Sequence, residues 1–226
     1  MTDREATSRR AQAFFEDLWK RGDPWELESS AFEQAKYARY LAMLDDRRYA
    51  RALEVGCGAG YFTRKLVRIS EHVVALDIAP TAVARARAIG HQGGIDFRVA
   101  NIMDWSPSAE GPWDLVILNE TIYYLGWLYS FFDVAWLASQ LFSATEQRGR
   151  LLMANTQGWV EDLLIRPWVI RTYRDLFLNV GYELETEEVY VGTKNGVELE
   201  VLISLFVRVT GRVPTGSSPA PHRERQ

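Results

Sequence analysis

A short apolar run followed by closely spaced glycines carries the clearest chemistry in this sequence. Residues 51–62 read RALEVGCGAGYF, with Glu54 near the end of the run and Gly56, Gly58 and Gly60 at every second position after it. A glycine-rich turn between a strand and a helix is typical of ligand-binding loops in open α/β sheets. A carboxylate at Glu54 would repel pyrophosphate and would suit a cationic group, such as an amino-acid ammonium. The stretch therefore predicts a turn that binds a positively charged ligand.

The spacing of these glycines separates two classes of ligand. Dinucleotide-binding turns follow the pattern G-x-G-x-x-G/A, in which a small third residue lets the helix pack closely against the strand. Counted from Gly56 and Gly58, that third position is Tyr61, which is too large for close packing. This speaks against a nicotinamide-dependent oxidoreductase, which stays open as an alternative. Cys57 lies between two of the glycines, and we expect it to pack under the loop rather than to act as a thiol nucleophile.

Polar side chains follow the next apolar runs in the same way. Asp77 ends VVALD, and its two carboxylate oxygens match the spacing of the two hydroxyls of a ribose. Asn101 follows FRVA and can both donate to and accept from an adenine edge, while Asn119 and Glu120 end DLVILNE. Ligands of open α/β sheets lie outside the carboxyl ends of the strands. We therefore expect these side chains to line one site together with Glu54.

Helices and strands must alternate to place these side chains at one edge. Helical periodicity predicts helices over residues 5–20 and 30–44, the second opened by a capping box of Ser30 and Glu33. Apolar strands then alternate with helices: strands ARALEV, HVVALD, IDFRVAN, WDLVILNE and GRLLMAN, and helices over 61–69, 81–89, 128–144 and 170–180. The pattern predicts an α/β, Rossmann-like, mostly parallel sheet with helices on both faces.

The last strands have a different pattern. YELETEEVYV and VELEVLISLF flank Asn195 and Gly196, which is a hairpin signal. We therefore expect the parallel sheet to close with an antiparallel edge. The stretch TIYYLGWLYSFFDVAWLASQLF (121–142) is expected to be a loop followed by a buried amphipathic helix, which covers about 128–144.

The motifs at the strand ends resemble those of class I S-adenosylmethionine-dependent methyltransferases. LEVGCGAG is similar to their first motif, ALD to their ribose-binding acid, ANIMDW to their adenine segment and WDLVILNETIYYL to their fourth-strand motif. The resemblance covers about residues 50–207. It implies S-adenosyl-L-methionine as the cofactor and a seven-stranded sheet whose last strand is antiparallel.

The N-terminal stretch has a more particular resemblance. Residues 14–44, FFEDLWKRGDPWELESSAFEQAKYARYLAML, are similar to the leader of methyltransferases related to nodulation protein S, which methylate an amino group of a chito-oligosaccharide. Sugar and natural-product tailoring enzymes also carry such leaders. The resemblance implies a helical lid (residues 1–48) before the methyltransferase domain (49–210). The remaining residues, 211–226, are rich in Pro, Ser and Gly and are predicted to be a disordered tail.

The residue types and the resemblance together define the expected site. The expected cofactor-binding residues are Trp25, Tyr37, Glu54, Gly56, Cys57, Gly58, Gly60, Asp77, Ile78, Asn101, Ile102 and Asn119. The expected catalytic residues are Glu120, Tyr123 and Tyr124. Glu120 is expected either to act as the general base, with the tyrosines as hydrogen-bonding partners, or to hold the structure or the acceptor. A carboxylate base favours N-methylation over O-methylation, and no metal is expected because a sulfonium is already a good leaving group.

Further candidates surround this set. Aromatic faces stabilise cations, and the candidates for contact with a sulfonium are Trp25, Tyr37, Tyr123, Tyr124, Trp127 and Trp159. The stretch NTQGWVEDLLIRPWV is expected to overhang the site, with acceptor contacts from Gln157, Trp159, Glu161 and Arg166. The histidines, at positions 72, 91 and 222, are all expected away from the strand ends, so no histidine base is predicted.

Composition limits the partners. The chain has 226 residues, a net charge of −4 and one cysteine, so clustered basic surface for nucleic acid and an intrachain disulfide are not expected. No apolar run reaches the ~20 residues of a membrane span, and the N-terminus does not resemble a secretory signal. We expect a cytoplasmic monomer or homodimer that methylates N or O of a small-molecule acceptor, a sugar or a natural-product (secondary metabolite) intermediate. A catalytically silent cofactor-binding scaffold stays open as an alternative.

Overall fold

One mixed sheet forms the centre of the chain, in a computed structural model that describes residues 3–90, 93–158 and 163–209. Within these residues seven strands pair in the order β3-β2-β1-β4-β5-β7-β6. The strands are β1 Tyr49–Val55, β2 Ser70–Asp77, β3 Ile95–Val99, β4 Trp113–Asn119, β5 Thr145–Gln157, β6 Glu183–Lys194 and β7 Val197–Val207. β7 is antiparallel to both of its neighbours, and the other pairs are parallel. The predicted Rossmann-like, mostly parallel fold is confirmed.

Helices cover both faces of this sheet. In the described ranges they are α1 Asp3–Lys20, α2 Ala31–Leu44, α3 Thr63–Leu66, α4 Pro80–Ala88, α5 Pro107–Glu110, α6 Ile122–Leu128, α7 Phe131–Ala144 and α8 Pro167–Asn179, with a 3-10 turn over Leu163–Ile165. Successive strand residues point to opposite faces. In β1, Leu53 belongs to the apolar cluster that contains α7 and α8, whereas Ala52 belongs to the cluster that contains α2 and α4.

Two predictions about helices were wrong, one about the length of a helix and one about a segment expected to be a loop. Only one helical turn, Thr63–Leu66, forms where a helix over 61–69 was predicted, because β2 already begins at Ser70. The loop expected before residue 128 is instead the helix α6, whose apolar side chains Ile122 and Leu125 are buried. α7 then starts anew behind Ser130, which forms a capping box with Asp133.

The hairpin of β6 and β7 forms an antiparallel edge of the sheet, as the sequence predicted. β7 is inserted between β5 and β6, so β6 forms the edge. The residue pattern explains the order. β7 contains the run Val201–Phe206, whose side chains are all buried, whereas β6 is charged and mostly exposed. A continuous apolar run suits an interior strand, and a charged strand suits an edge.

The N-terminal helices have two different positions. α1 lies across the carboxyl ends of the strands, where Gln12 Nε2 donates to the carbonyl of Ile78 at 3.2 Å. The Glu16 carboxylate accepts from the backbone N–H and the hydroxyl of Thr81 at 2.9 and 2.7 Å. α2 instead packs in the core through Tyr37 and Tyr40, which are fully buried. Of the two helices in the predicted lid, α1 therefore covers the strand ends and α2 is a core element.

At the opposite end of the sheet, Arg150 joins three segments. Its guanidinium donates to Glu185 Oε2 at 2.8 Å, to Asp46 Oδ2 at 2.9 Å and to the hydroxyl of Tyr49 at 3.0 Å. The Arg150 side chain is buried. These bonds tie β5 to the edge strand β6 and to the segment before β1.

Some predictions cannot be compared with the structure. The predicted tail (211–226), Trp159, Glu161, His91 and His222 lie outside the described residues. His72 is described and lies near the start of β2, away from the carboxyl ends of the strands, as predicted. None of the helices in the described ranges combines the length and hydropathy that crossing a bilayer requires.

Candidate active site

A cavity of about 370 Å³ opens at the carboxyl ends of the parallel strands. Residues that follow β1, β2, β3 and β4 form its floor, and side chains of α1, α2 and α6 form its walls. All of the predicted site residues except Gly60 line it. They are Trp25, Tyr37, Glu54, Gly56, Cys57, Gly58, Asp77, Ile78, Asn101, Ile102, Asn119, Glu120, Tyr123 and Tyr124.

The glycine turn excludes side chains because of the protein's own packing. A Cβ at Gly56 would lie 2.7 Å from the Thr121 hydroxyl, and one at Gly58 would lie 2.8 Å from the ring of Trp19. Both glycines also have positive φ, +75° and +55°. The sequence alone suggested that a ligand occupies this space. The structure shows that Thr121 and Trp19 of α1 fill it and so shape the rim of the cavity.

Gly60 and Tyr61 lie behind this rim. Gly60 does not line the cavity, and a Cβ there would lie 2.7 Å from the ring of Phe97. Tyr61 turns its hydroxyl to Glu28 Oε2 at 3.1 Å and is only partly buried. A tyrosine is tolerated after the glycines because its ring packs at the margin of the apolar core and stays partly exposed. Cys57 is buried, and burial raises the pKa of its thiol well above the ordinary value, as expected for a packing residue.

Glu54 is a buried carboxyl with an unsatisfied oxygen. It is 2% exposed, and its Oε2 has no hydrogen-bond partner. Burial raises the pKa of Glu54 to about 8, and the nearby Asp77 carboxylate adds to the shift. Buried polar atoms are normally satisfied. An unsatisfied carboxyl oxygen on a cavity wall is therefore a position where a ligand cation fits.

Asp77 is held in place by backbone donors. Its Oδ2 accepts from the N–H of Gly58 at 2.8 Å, and its Oδ1 accepts from the N–H of Ala79 at 2.8 Å. Burial raises the pKa of Asp77 to about 6, although these two bonds oppose the shift. Each carboxylate oxygen keeps a further lone pair. The carboxylate can therefore fix the glycine turn and accept from two ligand hydroxyls at once.

Asn101 has partners that were not expected. Its amide Nδ2 lies 2.7 Å from the hydroxyl of Tyr129 and 3.0 Å from Asp104 Oδ2, and its Oδ1 accepts from the N–H of Met103 at 3.1 Å. The side chain thus holds the loop after β3 instead of presenting a free amide to an adenine edge. The apolar side chain of Ile102 lines the cavity beside it.

Glu120 is the most heavily hydrogen-bonded carboxylate of the site. Its Oε1 accepts from Lys36 Nζ at 2.9 Å and from the Thr156 hydroxyl at 2.7 Å. Its Oε2 accepts from the Tyr123 hydroxyl at 3.0 Å and from the Thr156 N–H at 2.9 Å. Burial alone would raise the pKa of Glu120, but Lys36 and Thr156 outweigh it and hold the pKa below its ordinary value. These contacts favour a structural role for Glu120 over that of general base.

Two lysines complete the site, and sequence reasoning missed both. Lys36 Nζ lies 2.7 Å from Glu33 Oε2, and Lys194 Nζ donates to Glu33 Oε1 at 2.8 Å and to the carbonyl of Trp25 at 2.6 Å. The Ser30 hydroxyl accepts from the Glu33 N–H as predicted, but the Glu33 carboxylate pairs with the lysines instead of completing the capping box. Glu33, Lys36 and Lys194 all line the cavity.

The remaining candidates that the structure describes, Trp127, Gln157 and Arg166, do not line the cavity. Trp127 is half exposed and packs against Phe14, with ring centroids 5.3 Å apart. Gln157 is buried and donates to Glu200 at 3.2 Å, and Arg166 immediately precedes α8. The described residues contain no group of three or more His, Cys, Asp or Glu side chains arranged to hold a metal ion.

Comparison with solved structures identifies the class of fold. The structure is similar to the N-methyltransferase NodS from Bradyrhizobium japonicum WM9 in complex with S-adenosyl-L-homocysteine, with a TM-score of 0.74 and 20% sequence identity, over 88% of this chain and 98% of that chain. At this identity the similarity establishes the fold, which is that of the class I S-adenosylmethionine-dependent methyltransferases.

Comparison of sequences is more specific. The profile of the nodulation protein S (NodS) family matches residues 9–131, more than half of the chain, so the chain belongs to this family. It is 40% identical to Nodulation protein S of Bradyrhizobium diazoefficiens over 105 residues, 46% of this chain and 49% of the relative. It is 37% identical to the ubiquinone biosynthesis O-methyltransferase of Xylella fastidiosa over 75 residues, 32% of this chain and 30% of the relative. The chain spans about half the length, or less, of these curated relatives.

Proposed function

We propose that this protein is an S-adenosylmethionine-dependent methyltransferase that acts on a nitrogen of a small-molecule acceptor. The observation that carries the proposal is the buried, unsatisfied carboxyl oxygen of Glu54 in the same cavity as Asp77. An amino-acid ammonium would donate a hydrogen bond to Glu54 and favour its ionised form. The two hydroxyls of a ribose would match the two oxygens of Asp77. The residues present therefore fit this cofactor, whose chemical contribution is a methyl carbon bonded to a cationic sulfur.

The other cavity residues have proposed roles around these two anchors. Gly56, Cys57 and Gly58 would border the amino-acid arm, since they form the turn between Glu54 and α3. Ile78 and Ile102 would border the adenine, with Asn101 holding the loop that carries Ile102. Aromatic faces stabilise a cationic sulfur. The candidates for that contact are Trp25, Tyr37, Tyr123 and Tyr124. Asn119 also lines the cavity, and its Oδ1 accepts from the Tyr40 hydroxyl at 3.1 Å.

The chain's own contribution to catalysis would be positioning and exclusion of water. Holding the acceptor in line with the methyl carbon is worth several kcal/mol, and the walls formed by α1 and α2 close the cavity around it. Glu120 is a poor proton acceptor because Lys36 and Thr156 stabilise its charged form. The acceptor atom must therefore be nucleophilic without losing a proton to the protein first. A neutral amine meets this condition, whereas an unactivated hydroxyl needs a base.

The similarity to known enzymes supports N-methylation. The solved structure with a TM-score of 0.74 is described as an N-methyltransferase, whereas the ubiquinone biosynthesis O-methyltransferases match a shorter part of the chain. We infer an amino sugar, such as a chito-oligosaccharide with a free amino group, or an amine of a natural product as the acceptor. Cytoplasmic location, the monomer or homodimer and the absence of nucleic-acid and membrane partners stay predictions.

Ligand titration tests the proposal. S-adenosylhomocysteine and S-adenosylmethionine should raise the melting temperature and NAD should not, because a ligand of the folded state stabilises it. Asp77→Ala should weaken S-adenosylhomocysteine binding by roughly tenfold to a hundredfold, since it removes charge-assisted hydrogen bonds. Asp96→Ala is the matched control, because Asp96 pairs with Arg98 on β3 and does not line the cavity.

The outcomes separate the alternatives. A shift with NAD alone would indicate an oxidoreductase and overturn the proposal. Binding of S-adenosylhomocysteine without transfer of labelled methyl to amino sugars or natural-product amines would indicate a silent scaffold. Unchanged affinity in Asp77→Ala would show that the ribose is held by other residues.

A further inference from the structure

Four charged side chains meet at one end of the cavity. Lys194, Glu33, Lys36 and Glu120 form a continuous chain of ion pairs that joins β6, α2 and the end of β4. The side chains of Glu33 and Lys36 are buried, and that of Lys194 is 15% exposed. Two positive and two negative charges are thus removed from water together, and they cancel.

Glu54 and Asp77, which line the same cavity, differ in this respect. Within the described ranges, Glu54 Oε2 has no hydrogen-bond partner and no ion pair, and Asp77 has only backbone donors among its hydrogen bonds. Glu33 Oε2 also accepts no hydrogen bond, but it lies 2.7 Å from Lys36 Nζ. Glu54 and Asp77 therefore offer negative charge to a ligand, whereas the paired side chains around Lys36 carry no net charge. Among the described cavity residues, the rings of Phe32 and Tyr37 lie 5.8 and 5.9 Å from Lys36 Nζ, and the Tyr123 hydroxyl donates to Glu120.

We propose that the acceptor binds beside these four side chains, and that Lys36 is a positioning residue that makes this acceptor end electrically neutral, so that the acceptor binds with its nucleophilic nitrogen uncharged. The inference deepens the proposed methyl transfer and rests on it. A protonated amine would have no unpaired carboxylate to bind beside Lys36, and transferring it from water without a partner would be costly. A free amine or another neutral polar group carries no such cost.

The chemistry of transfer gives this selection its value. The lone pair of the acceptor nitrogen forms the new bond to the methyl carbon while the carbon–sulfur bond breaks and its electron pair stays on sulfur. The positive charge moves from sulfur to nitrogen, and the nitrogen later gives a proton to solvent. An ammonium has no lone pair and cannot react. A neutral acceptor end therefore selects the reactive form and does not retain the cationic product.

Other titratable groups face Lys36 and Glu120, and they must be considered in any pH experiment. They are Glu33, Tyr37 and Tyr40 on α2, and Tyr123 and Tyr124 on α6. Glu54 on β1 acts through Tyr37, and Lys194 on β6 acts through Glu33. Burial raises the pKa values of Tyr37, Tyr40 and Tyr123 well above the ordinary value, so these phenols stay neutral up to alkaline pH.

The first test needs no acceptor. In Lys36→Met, Glu120 stays buried without its cation, so its folded-state pKa should rise above the unfolded value. The urea midpoint of the variant, relative to the wild type, should then fall as the pH rises from about 5 to 8. Lys36→Arg keeps the charge and should follow the wild type, and Lys36→Met/Glu120→Gln should lose the added pH dependence. Parallel midpoints for Lys36→Met and the wild type would overturn the proposal.

The second test measures selection directly. The probe is a chito-oligosaccharide with one free terminal amino group, bound to protein saturated with S-adenosylhomocysteine, at pH 6 and pH 9 on either side of the amine titration. The wild type should bind it about tenfold or more tightly at the higher pH. Lys36→Met should lose or reverse this preference, because Glu120 then attracts the ammonium. Lys36→Arg should restore it. The fully N-acetylated sugar serves as the uncharged control.

The outcomes of the two tests are distinguishable from failure of the proposed function. An unchanged pH preference in Lys36→Met would refute the role of Lys36 while leaving methyl transfer intact. If S-adenosylhomocysteine does not bind, or if neither sugar binds its complex, the proposed cofactor or acceptor is wrong. In that event the urea midpoints still decide whether Lys36 neutralises Glu120.

Discussion

At the scale of single residues, the site separates satisfied from unsatisfied carboxylates. Glu120 accepts from Lys36, Thr156 and Tyr123, and its charged form is stabilised although it is buried. Glu54 is more deeply buried and has an oxygen without a partner, so its protonated form is favoured. The two carboxyl groups therefore have opposite tasks, because one holds protein segments together and the other is ready for a ligand cation.

The pKa of Glu54 leads to a prediction about pH and stability. Its folded value, about 8, is above that of an unfolded chain, so the folded protein keeps a proton that the unfolded chain releases. The free energy of unfolding without ligand should therefore fall as the pH rises from about 4.5, the ordinary pKa of a glutamate, to about 8. The total decrease should be on the order of a few kcal/mol. Urea unfolding at several pH values measures the slope, and Glu54→Gln should flatten it.

Asp77 must be separated from this effect. Its raised pKa, about 6, acts in the same direction at lower pH. The comparison of wild type with Glu54→Gln is therefore most informative between pH 6.5 and pH 8, where Asp77 has largely lost its proton. Equal slopes for the two proteins in that window would show that Glu54 is already ionised in the free protein.

Residues at strand ends could be predicted from sequence, but their partners could not. Glu54, Asp77 and Glu120 each end an apolar run, and parallel strands bring such positions to one edge. Lys36 and Glu33 are three residues apart on a helix, which sequence alone cannot distinguish from an ordinary surface ion pair. Thr156 contacts Glu120 from β5, and Lys194 contacts Glu33 from β6. Both contacts join residues that are far apart in the sequence, so only the register of the strands brings them together.

At the scale of elements, α1 closes the site by a few polar contacts and one large ring. Glu16 holds it to the start of α4 through Thr81, and Trp19 packs on the glycine turn at Gly58. Hydrogen bonds to Thr81 lower the pKa of Glu16, which agrees with a charged, well-placed acceptor. Because α1 belongs to the wall of the cavity, its attachment should affect ligand binding more than overall stability.

A pair of variants on α1 tests this coupling. Glu16→Ala removes the acceptor of two hydrogen bonds from Thr81 and should weaken S-adenosylhomocysteine binding roughly threefold to tenfold. Asp17→Ala is the control, because Asp17 is exposed and pairs with Arg21 of the same surface. Calorimetric titration measures both. An equal effect of the two variants, or none from Glu16→Ala, would show that α1 is held by its apolar contacts alone.

The elements themselves were largely predictable, and the exceptions have physical causes. Continuous apolar runs fixed β1 to β5, and Asn195 and Gly196 fixed the turn between β6 and β7. α6 was missed because Gly126 and the aromatic side chains beside it read as irregular, whereas burial of Ile122 and Leu125 stabilises a helix there. The antiparallel edge was predicted correctly, but the order of its two strands was not predicted, because a hairpin signal identifies a pair of strands and not which of them lies inside.

At the scale of the whole molecule, we expect stability and ligand binding to depend on opposite ends of the sheet. Arg150 pairs with Asp46 and Glu185 near the start of β5, while Thr156 near the end of the same strand contacts Glu120. A buried guanidinium with several acceptors is costly to disrupt, because its partners lose their hydrogen bonds together. Damage at one end should therefore leave the other end able to bind.

Arg150→Met should lower the free energy of unfolding by about 2 kcal/mol, discounted for the exposure of Asp46. Affinity for S-adenosylhomocysteine below the melting transition should stay within about twofold of the wild type, which is within the usual scatter for a distant site. Arg150→Lys keeps the charge without the planar fork and should lie between the two in stability. Urea unfolding and calorimetry check the two quantities, and a parallel loss of both would contradict this separation.

The insertion of β7 between β5 and β6 has a consequence for the nascent chain. During synthesis β6 leaves the ribosome before β7, yet it has no place in the sheet until β7 has paired with β5. Lys194 sits at the tip of that hairpin, so Glu33 obtains its second cation only after residues up to about 207 have been translated. The ion pairs around the cavity are therefore among the last contacts that the growing polypeptide can make.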